Sequence, residues 1–334
     1  MSHMALESAQ AAEAVALFLE LNNTKLVELG KQLRKSPPQI ILTSARGSSD
    51  NAAGYFKYVT EIQTGIPCCS IGASVVSVYG AKLRVKGGLC LTISQSGKSP
   101  DIVALQDAAK KSGALTVALV NVEGSPAATS ADICLPLYAG PEQSVAATKS
   151  LIVSLAASVA IVAHWLNHSE LLNSVSRLPE VLARAAKIAW PEAIDLAVAN
   201  DSLYVLGRGP ALPIAAETAL KLKETCAIHA EAYSIAEVMH GPLELLGRDF
   251  PVLAYAPQDL SSVTTQIAIQ KMRETGAKVL AIGKDGLSYA KSDHPLLDPI
   301  SMIQTSYGFI EAAAQALGRN PDHPRLLKKV TETV

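Results

Sequence analysis

The chain repeats itself, and the repeat limits its fold more than any other feature. Arg46-Gly47 follows a short apolar run at residues 40–42, and Arg208-Gly209 follows Leu203-Tyr204-Val205-Leu206. Each pair leads into a helical pattern containing Ala-Ala, and Ile66 and Ile228 fall at the same offset. Further on, Gly113-Ala114-Leu115-Thr116-Val117-Ala118-Leu119 lines up with Gly276-Ala277-Lys278-Val279-Leu280-Ala281-Ile282. A register that barely changes along half a chain implies a duplicated unit. Strand-like and helical runs alternate within it, which makes the unit α/β. A chain of 334 residues, 49% hydrophobic and 18% charged, can bury the two cores this requires.

The spacing predicts N-terminal helices over residues 1–37, a first domain over 38–168, a helical connector over 169–200 and a second domain over 201–334. In the first domain, strands are expected at 40–42, 68–71, 89–93 and 115–120, with an edge strand at 133–137. A helix over 51–64 is closed by Gly65, and a long apolar helix is expected between Glu142 and Leu166. Such a doubly wound sheet binds ligands at the carboxyl ends of its strands.

One of those ends is distinctive. Leu89-Cys90-Leu91-Thr92-Ile93 runs into Ser94-Gln95-Ser96-Gly97-Lys98-Ser99-Pro100-Asp101, a strand, a polar loop and a helix start, with Ser99 as N-cap and Pro100 as first helical residue. First-turn amides lack intrahelical acceptors, so with Ser94, Gln95 and Ser96 beside them the loop can hold a phosphate. A capped turn is the plainer reading. Two nucleotide motifs are excluded: Thr92 stands where a Gly-Lys-Ser phosphate loop needs its first glycine, and Gly207-Arg208-Gly209-Pro210-Ala211-Leu212 ends in leucine where a dinucleotide fingerprint needs glycine or alanine. Neither ATP nor NAD is expected.

A net charge of -1 without basic blocks gives no footprint for nucleic acid or an anionic membrane. The apolar run at 150–163 is too short to span a bilayer and reads as a buried helix. Cys68, Cys69, Cys90, Cys134 and Cys226 show no metal spacing and read as reduced core residues of a cytoplasmic protein, with no metal or cofactor. Met1-Ser2-His3-Met4 reads as an appended leader, and Glu7 and Glu13 stand where a signal peptide would be basic.

The two halves have diverged unevenly. Opposite the serine loop the second half carries Ala256-Pro257-Gln258-Asp259, whose carboxylate would repel phosphate. It carries instead Lys221-Leu222-Lys223-Glu224, His229-Ala230-Glu231-Ala232-Tyr233 and His240-Gly241-Pro242-Leu243. Lys221 and Glu224 share a helix face and read either as a solvated pair or as proton-transfer groups. His240 precedes a helix-ending Gly-Pro and reads as a proton donor or a cap. His229 and Glu231 read as core or turn residues.

These runs, together with Ala146-Ala147-Thr148-Lys149 and Pro324-Arg325, resemble in order the sugar isomerase (SIS) domain family, and in particular the isomerase half of glucosamine-6-phosphate synthase. The resemblance covers nearly the whole chain from about residue 38. It implies two tandem SIS domains, each a doubly wound, mostly parallel five-stranded sheet flanked by helices. It also implies that Ser49, Ser94, Gln95, Ser96 and Ser99 bind a sugar phosphate, and that the backbone near Val145 and Ala147 contacts the sugar. Glu224 would move the proton between C1 and C2 with Lys221 nearby, His240 would open the ring from the neighbouring subunit of a homodimer, and Lys328 or Lys329 would reach over the site. Ala147 replaces an expected serine and the tail departs from the synthase ending. Both departures resemble SIS-type glucosamine-6-phosphate deaminases, as does the absence of a glutaminase-like stretch with a cysteine before Cys68. The expected reaction is glucosamine 6-phosphate and water to fructose 6-phosphate and ammonia by acid–base catalysis without metal. The alternatives are a ketose/aldose isomerase or deglycase for another sugar phosphate, and a phosphosugar-sensing binding protein.

Overall fold

Nine strands carry the architecture of the computed structural model, which describes residues 1–327 and Lys329. The first five are β1 (Ile41–Ser44), β2 (Cys68–Ser70), β3 (Leu89–Ser94), β4 (Leu115–Val120) and β5 (Ile133–Pro136), paired in parallel in the order β2-β1-β3-β4-β5. Every residue of β1 and β3 is buried, as expected where helices cover both faces of a parallel sheet and the strands need continuous apolar runs. The second set is β6 (Ser202–Gly207), β7 (His229–Ser234), β8 (Pro251–Ala256) and β9 (Lys278–Gly283), again parallel, in the order β7-β6-β8-β9. Each sheet steps outward from its first strand and then reverses across it, so the duplication read in the sequence is present in the strand order.

The second sheet has four strands among the described residues, where five were expected. After β9 the chain doubles back at once: Leu287 N–H donates to the Ala281 carbonyl at 2.8 Å and makes a single parallel bridge to Ile282. The chain then passes into the turn Pro295–Leu297 and the helix Asp298–Ala316, leaving one bridge in place of an edge strand.

The described residues divide into two units, one comprising Met1–Ala12, Glu142–Lys149 and the described residues from Arg177 to Lys329, the other Glu13–Pro141 and Ser150–Ser176. The latter contains the first sheet. Its core packs Leu42, Val85, Cys90 and Ala109 on one side and Ala118, Val120 and Ala127 on another. The former contains the second sheet, with Leu206, Val252, Ala254, Ile269 and Met272 at its centre. There Tyr255 ties two helices together, through Thr218 Oγ1 at 2.6 Å and through Ser306 Oγ.

Two expectations are corrected. The helix expected from Glu142 begins only at Lys149 and runs to Leu166, because the preceding backbone amides are taken by side chains: Thr148 N–H donates to Glu142 Oε1 at 2.9 Å, and those of Gln143 and Ser144 donate to Glu7. By length and composition Lys149–Leu166 could cross a membrane, but 89% of it is buried inside the protein. The first residues are folded into the protein: Ser2 caps the helix His3–Ala9 and Met4 is fully buried. Among the cysteines, Cys68, Cys90 and Cys226 are buried but Cys69 is exposed; all five are free thiols, and burial pushes Cys68 and Cys90 up to about 12.

Helix packing in the first-sheet unit supplies a test. A Cβ on Gly30, in the helix Ala11–Lys35, would stand 2.4 Å from the His164 carbonyl oxygen. Gly30→Ala must therefore push the two helices apart, and it should lower the unfolding free energy by about 1 to 3 kcal/mol in urea titration. An unchanged midpoint would show that the contact is not tight.

Candidate active site

Two places at the carboxyl ends of strands and one buried cluster hold the candidate residues. In the first-sheet unit, β1 and β3 flank the point where strand order reverses, the usual ligand position in such sheets. Ser49 lies in the first turn of the helix Ser48–Thr64 after β1, while Ser94 ends β3 and Gln95 to Ser99 follow it. Ser94 Oγ accepts the Gly97 N–H at 2.9 Å and Ser96 Oγ accepts the Lys98 N–H at 3.3 Å. Each hydroxyl is thereby oriented and keeps its own proton to donate. Gly97 has φ +63°, and a Cβ there would lie 2.1 Å from Ser125 Oγ, so the tight turn demands glycine. Ser99 and Pro100 open the helix Pro100–Lys111 as the sequence predicts, although the Ser99 side chain makes no capping bond. Asp101 in that first turn is buried and ion-paired with Arg46, so its charge is neutralised beside a loop that could receive an anion.

In the second-sheet unit the helix Ala211–Lys221 ends in a π-helical turn, Leu222–Cys226, closed by Ala227 in the left-handed region at φ +53°. A non-glycine residue held there costs about 1 to 2 kcal/mol, and single π turns recur at functional sites. This turn shapes a triad. Lys221, 1% exposed, sits 3.5 Å from Glu217 Oε1 and 2.5 Å from Glu224 Oε2. Burial alone would drive the lysine's pKa down, but the two carboxylates outweigh it and hold the ammonium above its ordinary value. Glu217 is fully buried and also within 3.4 Å of the Tyr307 hydroxyl. Glu224 is 23% exposed and opens on a cavity of about 470 Å³ whose wall includes Lys223, Arg319, Asn320, His323 and Arg325. The solvated lysine–glutamate pair considered from sequence is thus part of a triad in which Lys221 and Glu217 are buried and Glu224 is partly exposed.

Lys329 lies at the edge of this cluster. Its Nζ donates to the Ser144 carbonyl at 2.6 Å and stands 3.9 Å from Glu142 Oε2. Burial lowers its pKa, with repulsion from Lys221 adding to the effect against the pull of Glu142, Glu7 and Glu224. Lys328 lies outside the described residues.

The fold therefore brings Lys221, Glu224 and Lys329 together with the segment bearing Val145 and Ala147. His240 is not joined to them: it is exposed, past the one-turn helix Ile235–Val238, and no hydrogen bond links it to Glu224 or Lys221. Ser49, Ser94, Gln95, Ser96 and Ser99 cluster at the first sheet's strand ends. His229 begins β7, and Glu231 accepts the Tyr233 hydroxyl at 2.7 Å. Sequence reasoning missed Glu217, Glu142 and Glu7. Glu217 was detectable, because carboxylates at 217 and 224 flank Lys221 at one-turn spacings. Glu7 and Glu142 carried no local signal, since their partners are remote in the chain. Among the described residues no group of three His, Cys, Asp or Glu side chains could hold a metal ion.

The profile of the SIS domain matches residues 32–164 and again 195–313. The chain is 33% identical over 325 residues to glutamine–fructose-6-phosphate aminotransferase [isomerizing] of Thermotoga maritima, covering 91% of this chain and 53% of that protein. It thus spans about half the length of the curated relatives it matches. A solved structure of a candidate phosphosugar isomerase from Silicibacter pomeroyi DSS-3 is 41% identical with a TM-score of 0.93, over 96% of this chain and 100% of that one. Glucosamine-6-phosphate deaminase of Thermotoga maritima shares the fold, with a TM-score of 0.80 at 23% identity over 99% of this chain and 100% of that one.

The triad predicts a stability effect with a definite pH dependence. The raised pKa of Lys221 means that its stabilising contribution is complete below the ordinary lysine value and is lost only as pH climbs through the raised one. Lys221→Met strands Glu217 without its cation and should cost about 3 to 5 kcal/mol at neutral pH. The variant should recover stability on acidification, as the stranded carboxylate takes up a proton that the unfolded chain binds more weakly. Urea unfolding at several pH values measures both.

Proposed function

Because the chain belongs to the SIS domain family, we propose that it is an enzyme that moves a proton between C1 and C2 of a hexose 6-phosphate. Its substrate in this reading is glucosamine 6-phosphate, released as fructose 6-phosphate and ammonia. The observation that carries the reading is the Glu217–Lys221–Glu224 triad. A binding protein has no need of a lysine buried between two carboxylates, whereas proton transfer needs a base whose charge is managed inside the fold.

The roles follow from each group's surroundings. The oriented hydroxyls of Ser94 and Ser96, with Ser49, Gln95 and Ser99, hold the phosphate, and the backbone near Val145 and Ala147 faces the sugar. Glu224, the exposed member of the triad, takes the proton from C2 of the opened sugar and returns it to C1 through a cis-enolamine. Water then adds at C2 of the resulting ketimine and ammonia leaves. Lys221 keeps Glu224 oriented and offsets its charge, and Lys329, whose proton is loosened by burial, lies beside the reacting end. His240 opens the ring from the neighbouring subunit of a homodimer, as the resemblance to the family implies, and its exposed position leaves it free to do so. Ala147 and the tail beyond Lys329 favour deamination over nitrogen transfer, since both depart from the synthase pattern.

Glu224→Gln should keep substrate binding and lose ammonia release together with solvent exchange of the C2 proton, because the amide fits but cannot act as a base. Exchange at the normal rate would identify another base. Ser94→Ala and Ser96→Ala should each weaken phosphate binding by about 1.5 to 3 kcal/mol; Ser96→Ala should lose little stability, whereas Ser94→Ala also leaves the Gly97 amide without its buried acceptor and should destabilise the fold by about 1 to 3 kcal/mol. For the shared site, co-refolding inactive Glu224→Gln and His240→Ala chains should restore about a quarter of wild-type activity in the randomly mixed population. Mixed dimers as inactive as their parents would place both residues in one chain's site.

A further inference from the structure

The helix His3–Ala9 enters none of the roles above, yet it is bonded to both segments that meet at Lys329. Its first amides, those of His3 and Met4, each donate to the Asp322 carboxylate at 2.8 Å, just ahead of the tail. The Asp322 carbonyl in turn accepts the Val145 N–H at 3.1 Å. From the middle of the helix, Glu7 Oε1 accepts the N–H of Gln143 and, at 3.3 Å, that of Ser144. Ser144 then offers its carbonyl to Lys329 Nζ. The bonds form a closed circuit through helix, loop and tail.

We propose that Glu7 is a positioning residue of the proton-transfer site: by gripping the Gln143 and Ser144 amides it fixes the carbonyl on which the Lys329 amine rests, and with it the sugar-facing backbone around Val145. The proposal rests on the function argued above for that site. Two features set Glu7 apart from an ordinary structural acid. It is 5% exposed, and its Oε2 is a buried oxygen without a hydrogen-bond partner among the described residues, the only carboxylate oxygen among them in that state and one that needs an explanation of its own. Its charge also acts on Lys329, which Glu142 and Glu224 likewise attract and Lys221 repels.

Amide hydrogen exchange and turnover of glucosamine 6-phosphate, measured on full-length Glu7→Ala and Glu7→Gln, test the assignment. In Glu7→Ala, exchange across residues 142–149 and 320–327 should be about tenfold faster, with the β6 and β8 amides unchanged. Its kcat should fall about tenfold to a hundredfold with little change in KM, the mark of lost alignment rather than lost binding. Glu7→Gln keeps an acceptor oxygen, so it should restore the slow exchange and most of kcat. Unaltered exchange in Glu7→Ala would overturn the proposal, as would faster exchange with full activity, or a Glu7→Gln kcat no better than that of Glu7→Ala. If the wild-type chain turns over no glucosamine 6-phosphate, the proposed reaction fails, while the exchange arm still decides whether Glu7 holds the loop.

Discussion

A lysine that keeps its proton inside a protein core is the interaction on which the rest of this site depends. Alone at that depth the ammonium would be strongly disfavoured, so Lys221 requires both Glu217 and Glu224 within reach of its nitrogen. The three groups sum to one excess negative charge. Glu217 is sealed in beside Tyr307 while Glu224 reaches the cavity, so the excess is available on the one carboxylate that a substrate can approach. A base whose charge is balanced from behind and free in front suits proton transfer between adjacent carbons.

That arrangement calls for unusual backbone. A regular helix would carry residue 224 onward at the same pitch, but the turn widens to a π-helix over Leu222–Cys226 and ends in a left-handed alanine. The segment from Glu142 to Thr148 is likewise kept out of the following helix by carboxylates that take its amides. In both places side chains and local strain override helical propensity, and both adjoin Lys221, Glu224 or Lys329. In the first-sheet unit, the serine loop instead follows ordinary rules: a buried strand, a glycine with positive φ, and proline at the helix start.

This difference explains what could be read from the sequence. The duplication and the strands from β1 to β5 follow from apolar runs and turn residues close together in the chain, and so does the phosphate-type loop. Glu224 and Lys221 were visible as a pair three residues apart, but the burial of Lys221 beside Glu217 was not, since it depends on the cover of remote segments. The cluster formed by Glu7, Glu142 and Lys329 spans almost the full length of the chain and has no local pattern. The fifth strand expected in the second sheet fails for the converse reason: the apolar repeat persists through β9, but an immediate return at Leu287 closes the edge.

In the proposed reaction a proton passes between C1 and C2 of a hexose carrying a 6-phosphate. The most direct measurement is deuterium incorporation in heavy water, followed by NMR, for glucosamine 6-phosphate, fructose 6-phosphate, glucose 6-phosphate and the same sugars without phosphate. Label is expected at C1 or C2 of at least one phosphorylated sugar, with ammonia formed alongside it from glucosamine 6-phosphate, and none in the unphosphorylated set. Failure of every phosphorylated sugar to acquire label, under conditions where the protein binds it, would contradict the account.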